Sequence, residues 1–202
     1  MNTGHAAFVL AAGGSTRLGQ PKQCLLRDGE TLLHRAARLA LETTPKRCLV
    51  ALGSEAAILC PLLADLPVEL VEVDHWRDGL SASLAALRAA LGETPVAHVL
   101  IVGCDQPALE AAHLRALLDA ATRAPSGCAF STYDGVRGLP AAVAMASLHA
   151  ATLVGDVGLR ALARDGVDDA IGEVDAPALA LDIDTPADLA EAISRGWLQP
   201  AG

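Results

Sequence analysis

Along the chain, short apolar runs rich in Val, Leu and Ala alternate with segments whose apolar residues recur every three or four positions. Unbroken apolarity over a few residues marks a strand buried on both faces, and it predicts strands at 6–10, 47–52, 68–73, 97–102, 128–132 and 178–183. Helical spacing joins Leu80, Leu84, Leu87 and Leu91, and likewise Leu114, Leu117, Leu118 and Ala121, so each set predicts one buried stripe on one helix. Asp134-Gly135 is a pair that closes tight hairpins, and 133–138 reads as one. Thr185, Pro186 and Asp188 read as a helix start: an N-cap, a proline at the first position and an acid at the third. Strand and helix alternating in this way imply an α/β domain in three layers, a mainly parallel sheet with helices on both faces. Ligands of such sheets bind beyond the C-terminal ends of the strands, so the chemistry is to be sought there.

A length of 202 residues suits one domain, and no repeat or low-complexity linker divides it. With 52% hydrophobic and 19% charged residues the core is sizeable; two Trp, two Phe and one Tyr make it aliphatic and leave few rings to stack on bases. A net charge of −9 argues against nucleic acid and anionic membrane as partners. The apolar stretch 6–12 is too short to span a bilayer and has no basic leader, which makes a cytoplasmic protein the expectation. The five cysteines form no C-x-x-C pair and the six histidines no His-x-x-x-His pair, so reduced, mostly buried thiols are expected rather than a zinc site.

Against this acidic background one segment gathers small residues and positive charge, Leu10-Ala11-Ala12-Gly13-Gly14-Ser15-Thr16-Arg17-Leu18-Gly19-Gln20-Pro21-Lys22. Gly13 and Gly14 let a ligand approach the main chain, and positive φ at these positions turns successive N–H groups inward as an anion nest. Arg17 offers a planar fork for two phosphate oxygens, Lys22 a compact charge, and Pro21 stiffens the approach to Lys22. A Walker loop is excluded, because Gln20 and Pro21 stand where Lys and Ser/Thr must follow Gly19. The dinucleotide fingerprint is excluded too, because Gly13 and Gly14 are adjacent and the third glycine is missing.

The whole run resembles the signature of nucleotidyltransferases with a Rossmann-like, glycosyltransferase-A-like α/β fold, in particular the molybdenum-cofactor cytidylyltransferases and the related guanylyltransferases. The resemblance implies a single domain over 1–202, with a nucleotide-binding half to about 107 and an acceptor-binding half from about 108. It implies that Leu10, Ala11, Ala12, Gly13, Gly14 and Ser15 bind the nucleotide and that Arg17 and Lys22 are catalytic.

The run 99–104 delivers Asp105, followed by Gln106 and Pro107, at the end of the fourth predicted strand. A carboxylate there suits Mg²⁺, which takes one or two carboxylates plus phosphate oxygens; it equally suits the cap of a helix starting near Pro107. In the family that the chain resembles, an Asp-x-Pro follows this strand and its Asp binds the metal. Asp182 and Asp184 share one face of the last predicted strand. Asp184 flanks the cap at Thr185. Asp182 has no such local role and corresponds best to the second metal ligand of related sugar nucleotidyltransferases, so it is preferred to Asp184. Both Asp105 and Asp182 are expected at strand ends on one edge of the sheet.

Gly79, Ser81 and Ser83 resemble the family's base-contacting loop, although Ser81 also fits an ordinary N-cap, and Trp76 reads as a packing residue. Family members that use GTP tend to have Gly where this chain has Ala12, and the methyl narrows the pocket towards a pyrimidine, a discrimination of about 1–3 kcal/mol. Gly138-Leu139-Pro140 matches a Gly-x-Pro of the family, but Ala141, Ala142 and Val143 follow where Phe is usual. Gly155-Asp156-Val157-Gly158-Leu159-Arg160 resembles the Gly-Asp-x-Gly-x-Arg of the molybdopterin branch, and Asp156 also fits a helix cap.

By resemblance, then, Gly138, Pro140, Asp156 and Arg160 hold the acceptor. The implied reaction is transfer of CMP from Mg-CTP to the phosphate of a molybdopterin-type cofactor, with Mg²⁺ as cofactor and a molybdoenzyme or its chaperone as partner. Two alternatives stay open: a transferase using another NTP or a sugar or alcohol phosphate, and a non-catalytic maturation or delivery factor for molybdopterin.

Overall fold

A computed structural model describes residues 4–53, 55–153 and 170–200. In chain order its strands are β1 (His5–Ala11), the short hairpin β2 (Leu26–Arg27) and β3 (Glu30–Thr31), β4 (Cys48–Leu52), β5 (Glu69–Glu72), β6 (His98–Gly103), β7 (Ala129–Tyr133), β8 (Val136–Ala144) and β9 (Gly172–Asp175). The helices are α1 (Leu32–Leu41), α2 (Ala56–Leu59), α3 (Leu80–Leu91), α4 (Ala111–Arg123), α5 (Met145–Ala150) and α6 (Pro186–Ser194).

Seven strands form one sheet in the order β5-β4-β1-β6-β8-β7-β9, parallel except for β8, which runs against both of its neighbours. The sheet divides the interior in two, because successive side chains of a strand point to opposite faces. Val9, Val50, Leu100 and Val102 pack with Leu33 of α1 and Leu114 and Leu117 of α4. Phe8, Leu49, Ile101 and Phe130 pack on the other face with Leu84 and Leu87 of α3 and Leu148 of α5. A small third cluster, Leu18, Leu32, Ile183, Ala192 and Leu198, fastens α6 beside the first loop. Among the described residues no helix is long and apolar enough to cross a membrane, and the five cysteines are free, with Cys48, Cys104 and Cys128 buried.

Five of the six predicted strands form, and the stripes on α3 and α4 face the core, with Leu80 and Leu118 only partly buried. The hairpin at 133–138 joins β7 to β8 with positive φ at Asp134 and Gly135. The sixth predicted strand, 178–183, does not form. Pro177 opens a turn of 3-10 helix over Pro177–Ala180, and Ala and Leu lack the β-branched side chains that favour a strand. One bond remains, from the N–H of Ile183 to the Asp105 carbonyl at 2.9 Å, and it brings the segment to the end of β6. The segment around Pro140 gave no strand signal, since a proline within a run argues against a strand. In β8 the pairing with β7 slips between Phe130–Ala141 and Ser131–Gly138, so Pro140 falls in an irregularity where no ladder bond needs its missing N–H.

An ion-pair cluster fixes α1. Glu30 accepts from Arg38 through Nε and Nη2, both at 2.8 Å, and lies 2.6 Å from His34 Nδ1. The Arg38 fork, outweighing partial burial and helped by His34, pulls the Glu30 carboxyl down from its ordinary 4.5 to about 2. Folding therefore favours the ionised form: the contribution is full above about pH 4.5 and fades as the pH falls to about 2. Full linkage would be worth about 3 kcal/mol, which contact with solvent reduces to about 1–2 kcal/mol. Glu30→Gln is expected to lower the urea unfolding free energy by that amount at pH 7 and by almost nothing at pH 2; equal losses at both would assign the effect to packing.

Candidate active site

β1 ends among small residues, and the loop beyond it is braced from below by one side chain. Gln23, 1% exposed, donates through Nε2 to the carbonyls of Ala11 (3.0 Å) and Gly13 (2.8 Å). Its Oε1 accepts from the Ser15 hydroxyl at 3.3 Å, and that hydroxyl accepts from the main-chain N–H of Lys22 at 3.1 Å. The left-handed backbone expected of Gly13 and Gly14 occurs instead at Ser15 (φ +47°) and Gly19 (φ +77°). Small residues before the turn thus give a ligand access, and the turn itself lies one step later.

The two cations of the loop meet the carboxylates. Lys22 Nζ stands 2.7 Å from Asp105 Oδ2 and 2.8 Å from Asp184 Oδ1, and Arg17 Nη2 is 2.8 Å from Asp184 Oδ2. Burial alone would lower the Lys22 pKa, yet the charge and hydrogen bond of Asp105, with the bond to Asp184, raise it well above the ordinary range. Asp184 moves down: burial opposes the shift, but Lys22 and Arg17 prevail. Asp182 moves the other way, up to about 7, because it is largely buried and because Asp105 and Asp184 add negative charge, which Gln106 and Lys22 offset only in part. Its Oδ1 is buried without a hydrogen-bond partner. A partnerless carboxylate oxygen beside a second carboxylate is a donor set suited to a hard divalent cation, so Asp105 and Asp182 fit the metal that the sequence reading assigns to them. Asp105 is no helix cap, since α4 starts only at Ala111 after Glu110. Nor is Asp182 at a strand end; it arrives on the segment tied to β6 by Ile183.

A cavity of about 220 Å³ opens next to these groups. Leu10, Ala11, Ala12, Gly13, Gly79 and Ser83 line it together with Lys22 and Asp105, so residues far apart in the chain converge on one cavity. Gly14 and Arg17 are outside its lining. Ser81 is elsewhere too: it lines a separate groove with Asp74 and Asp78, its hydroxyl 3.3 Å from the Asp78 carbonyl. It is not the cap of α3, because Gly79, with φ +82°, holds that position. One wall is closely packed. A Cβ on Gly53 would collide with the Ala12 carbonyl and lie 3.0 Å from Trp76 Cγ, so the end of β4, Ala12 and Trp76 are in close contact.

Of the residues expected to hold an acceptor, Gly138 and Pro140 belong to β8. A Cβ on Gly138 would collide with Tyr133 Oη, so this glycine leaves room for the Tyr133 ring. Burial, and then the charge of Asp182, raise the Tyr133 pKa. Asp156 and Arg160 lie outside the described residues. The sequence reading missed Gln23, Gln106 and Tyr133 and took Trp76 for packing alone, although Trp76 lines the cavity with the Arg77 guanidinium 4.3 Å over its ring. The position of Gln23 directly after the cationic pair was the available signal.

From residue 7 to 171 the sequence matches the family described as the MobA-like NTP transferase domain. A "probable molybdenum cofactor guanylyltransferase" of Synechococcus elongatus is 32% identical over 61% of the chain; the match spans only 61% of that relative's length. A 2-C-methyl-D-erythritol 4-phosphate cytidylyltransferase of Psychrobacter cryohalolentis is 29% identical over 62% of the chain and 46% of its own length. Among solved structures, a homologue of Mycobacterium tuberculosis Rv0371c from Mycobacterium sp. strain JC1 superposes with a TM-score of 0.80 at 27% identity, covering 97% of this chain and 98% of that one. Rv0371c of M. tuberculosis H37Rv, solved in complex with manganese, shares the fold at a TM-score of 0.74 and 24% identity, over 95% of this chain and 98% of that one.

Proposed function

The chain belongs to the MobA-like NTP transferase family, and from that premise we propose that it transfers CMP from CTP to the phosphate of a molybdopterin-type acceptor, releasing pyrophosphate. The observation that carries this reading is the meeting of Lys22 and Arg17 with Asp105 and Asp184, at 2.7–2.8 Å, beside a cavity lined by residues 10–13.

In this reading the triphosphate lies along the loop after β1 and draws Lys22 and Arg17 onto its oxygens. A phosphate oxygen of the acceptor, already ionised at neutral pH, attacks the α-phosphorus as the bond to pyrophosphate breaks, so no general base is required. Arg17 and Lys22 stabilise the charge that grows on the departing pyrophosphate. Asp105 and Asp182 would hold Mg²⁺, which when bound supplies Lewis-acid polarisation of the phosphate oxygens. Asp182 is assigned this part in preference to Asp184 because Asp184 is engaged by both cations while Asp182 Oδ1 has no partner. Gly138 and Pro140, with Asp156 and Arg160, are assigned to the acceptor in the second half of the chain, and Gly79 and Ser83 to the base. A cytoplasmic setting, with delivery of the product to a molybdoenzyme, belongs to the same reading.

The choice of base rests on Ala12. Ala12 is among the cavity's lining residues, and its carbonyl packs against Gly53 at the end of β4. Ala12→Gly is expected to raise kcat/KM for GTP relative to CTP by about tenfold, the scale of one methyl group in a tight pocket. An unchanged ratio would place the selectivity elsewhere.

The reaction itself is tested by pyrophosphate release with Mg²⁺ from CTP, GTP, ATP and UTP, each with and without molybdenum-loaded molybdopterin. Release from CTP that depends on the pterin is the expected result. Release with GTP alone, or only with another phosphate acceptor, replaces the base or the acceptor, and tight CTP binding without turnover replaces catalysis by delivery.

A further inference from the structure

Gln23 has no part in the reaction just described, yet it is among the most buried polar side chains of the protein and it sits against the loop to which the triphosphate is assigned. We propose that Gln23 is the positioning residue of that loop: its neutral amide sets the main chain of residues 11–15 for phosphate and links the turn at Ser15 to Lys22. The inference rests on the reading of the loop as the phosphate site.

A primary amide has two N–H donors and one carbonyl acceptor, and here all three functions are used. Both donors go to the carbonyls of Ala11 and Gly13. In a trans peptide the C=O and the following N–H point in opposite directions. Fixing these two carbonyls on Gln23 therefore turns the N–H groups of Ala12 and Gly14 away from it, and it also withdraws two carbonyl oxygens that would repel an anion.

The amide oxygen takes the Ser15 hydroxyl, and Ser15 is the residue with φ +47°, a conformation that costs a non-glycine residue free energy unless neighbours hold it. The same hydroxyl accepts the Lys22 N–H, so three links run from β1 through Gln23 and Ser15 to the catalytic lysine's main chain. No other side chain of similar size does this. Glutamate has the shape but no donors when ionised, and it would set a buried charge against two carbonyls and the incoming phosphate; methionine has the shape and no polar function.

The test uses inorganic pyrophosphate, a probe independent of base and acceptor, titrated calorimetrically into the full chain with Mg²⁺ present. Gln23→Met and Gln23→Glu are expected to weaken pyrophosphate binding by about tenfold or more, the scale of one or two lost hydrogen bonds to an anion site. Cytidine should bind within about threefold of wild type. Ser15→Ala, which keeps the amide and removes the relay hydroxyl, is expected to weaken pyrophosphate by about three- to fivefold, and it decides the matter if the Gln23 variants do not fold. A purely structural role would weaken cytidine and pyrophosphate alike and leave their ratio unchanged, which overturns the proposal. Wild-type pyrophosphate affinity in Gln23→Met, or in Ser15→Ala where that variant decides, overturns it also while leaving the loop's assignment intact. A wild-type chain that does not bind pyrophosphate removes the assignment of the loop, and this inference with it.

Discussion

Asp105→Asn is expected to lower kcat for nucleotidyl transfer by about a thousandfold, near the loss expected when a centre of charge stabilisation for a phosphoryl group is removed. The substitution is conservative in shape. The carboxylate folds back on its own strand, where a Cβ on Gly103 would lie 2.7 Å from Oδ1, and the backbone bond from Ile183 to the Asp105 carbonyl does not involve the side chain. Loss of activity should therefore come without loss of fold. Two measurements check it: the initial rate of pyrophosphate release, and Mn²⁺ binding followed by electron paramagnetic resonance without nucleotide. Both should fall while the thermal unfolding midpoint stays within a few degrees of wild type. A variant that keeps kcat within tenfold takes Asp105 out of the proposed centre.

Lys22→Ala is expected to lower kcat by about a hundredfold or more with a change of less than about fivefold in KM for the nucleotide, the pattern of a group that acts on charge developing in the transition state. In the free chain the same lysine, 13% exposed, is held by Asp105 and Asp184. Removing it leaves Asp105, Asp182 and Asp184 to repel one another, with an expected destabilisation of about 1–3 kcal/mol. Their combined charge should also tighten Mn²⁺ binding in the absence of nucleotide. Steady-state kinetics and Mn²⁺ titration of the one variant thus move in opposite directions, and an unchanged kcat would leave Lys22 a structural cation only.

The parts of the molecule that could be read in the sequence are those that short-range chemistry decides. Apolar runs, leucine spacing, the Asp134-Gly135 turn and the Thr185–Asp188 cap all lead to the elements found. Apolarity at 178–183 misled, because Leu179 and Ile183 are buried without being in a strand. β8 was hidden for the opposite reason: its proline is tolerated only because the β7 pairing slips beside it, and a partner strand is not visible in local sequence. The site shows the same division. Lys22 and Asp105 stand out by residue type, and the structure brings them together. Ser81 lines a different groove because spacing does not say which side of α3 it faces, and Gln23 was overlooked because glutamine is common at surfaces and its place after Lys22 is a weak signal until burial marks it out.

Asp184 and Lys22 are 162 positions apart, and Arg17 is 167 from its partner on the same carboxylate. Closing so long a loop costs entropy that the surrounding contacts must repay, and such distant pairings form late. During synthesis, when the N-terminal part of the chain emerges first, the loop after β1 can exist with Arg17 unpaired and Lys22 held by Asp105 alone long before residue 184 leaves the ribosome. Nucleotide captured at that stage would meet Asp105 but neither Asp182 nor Asp184. The cluster of Arg17, Lys22, Asp105 and Asp184 is complete only once residue 184 has joined the fold, and a shorter nascent chain presents the loop without it.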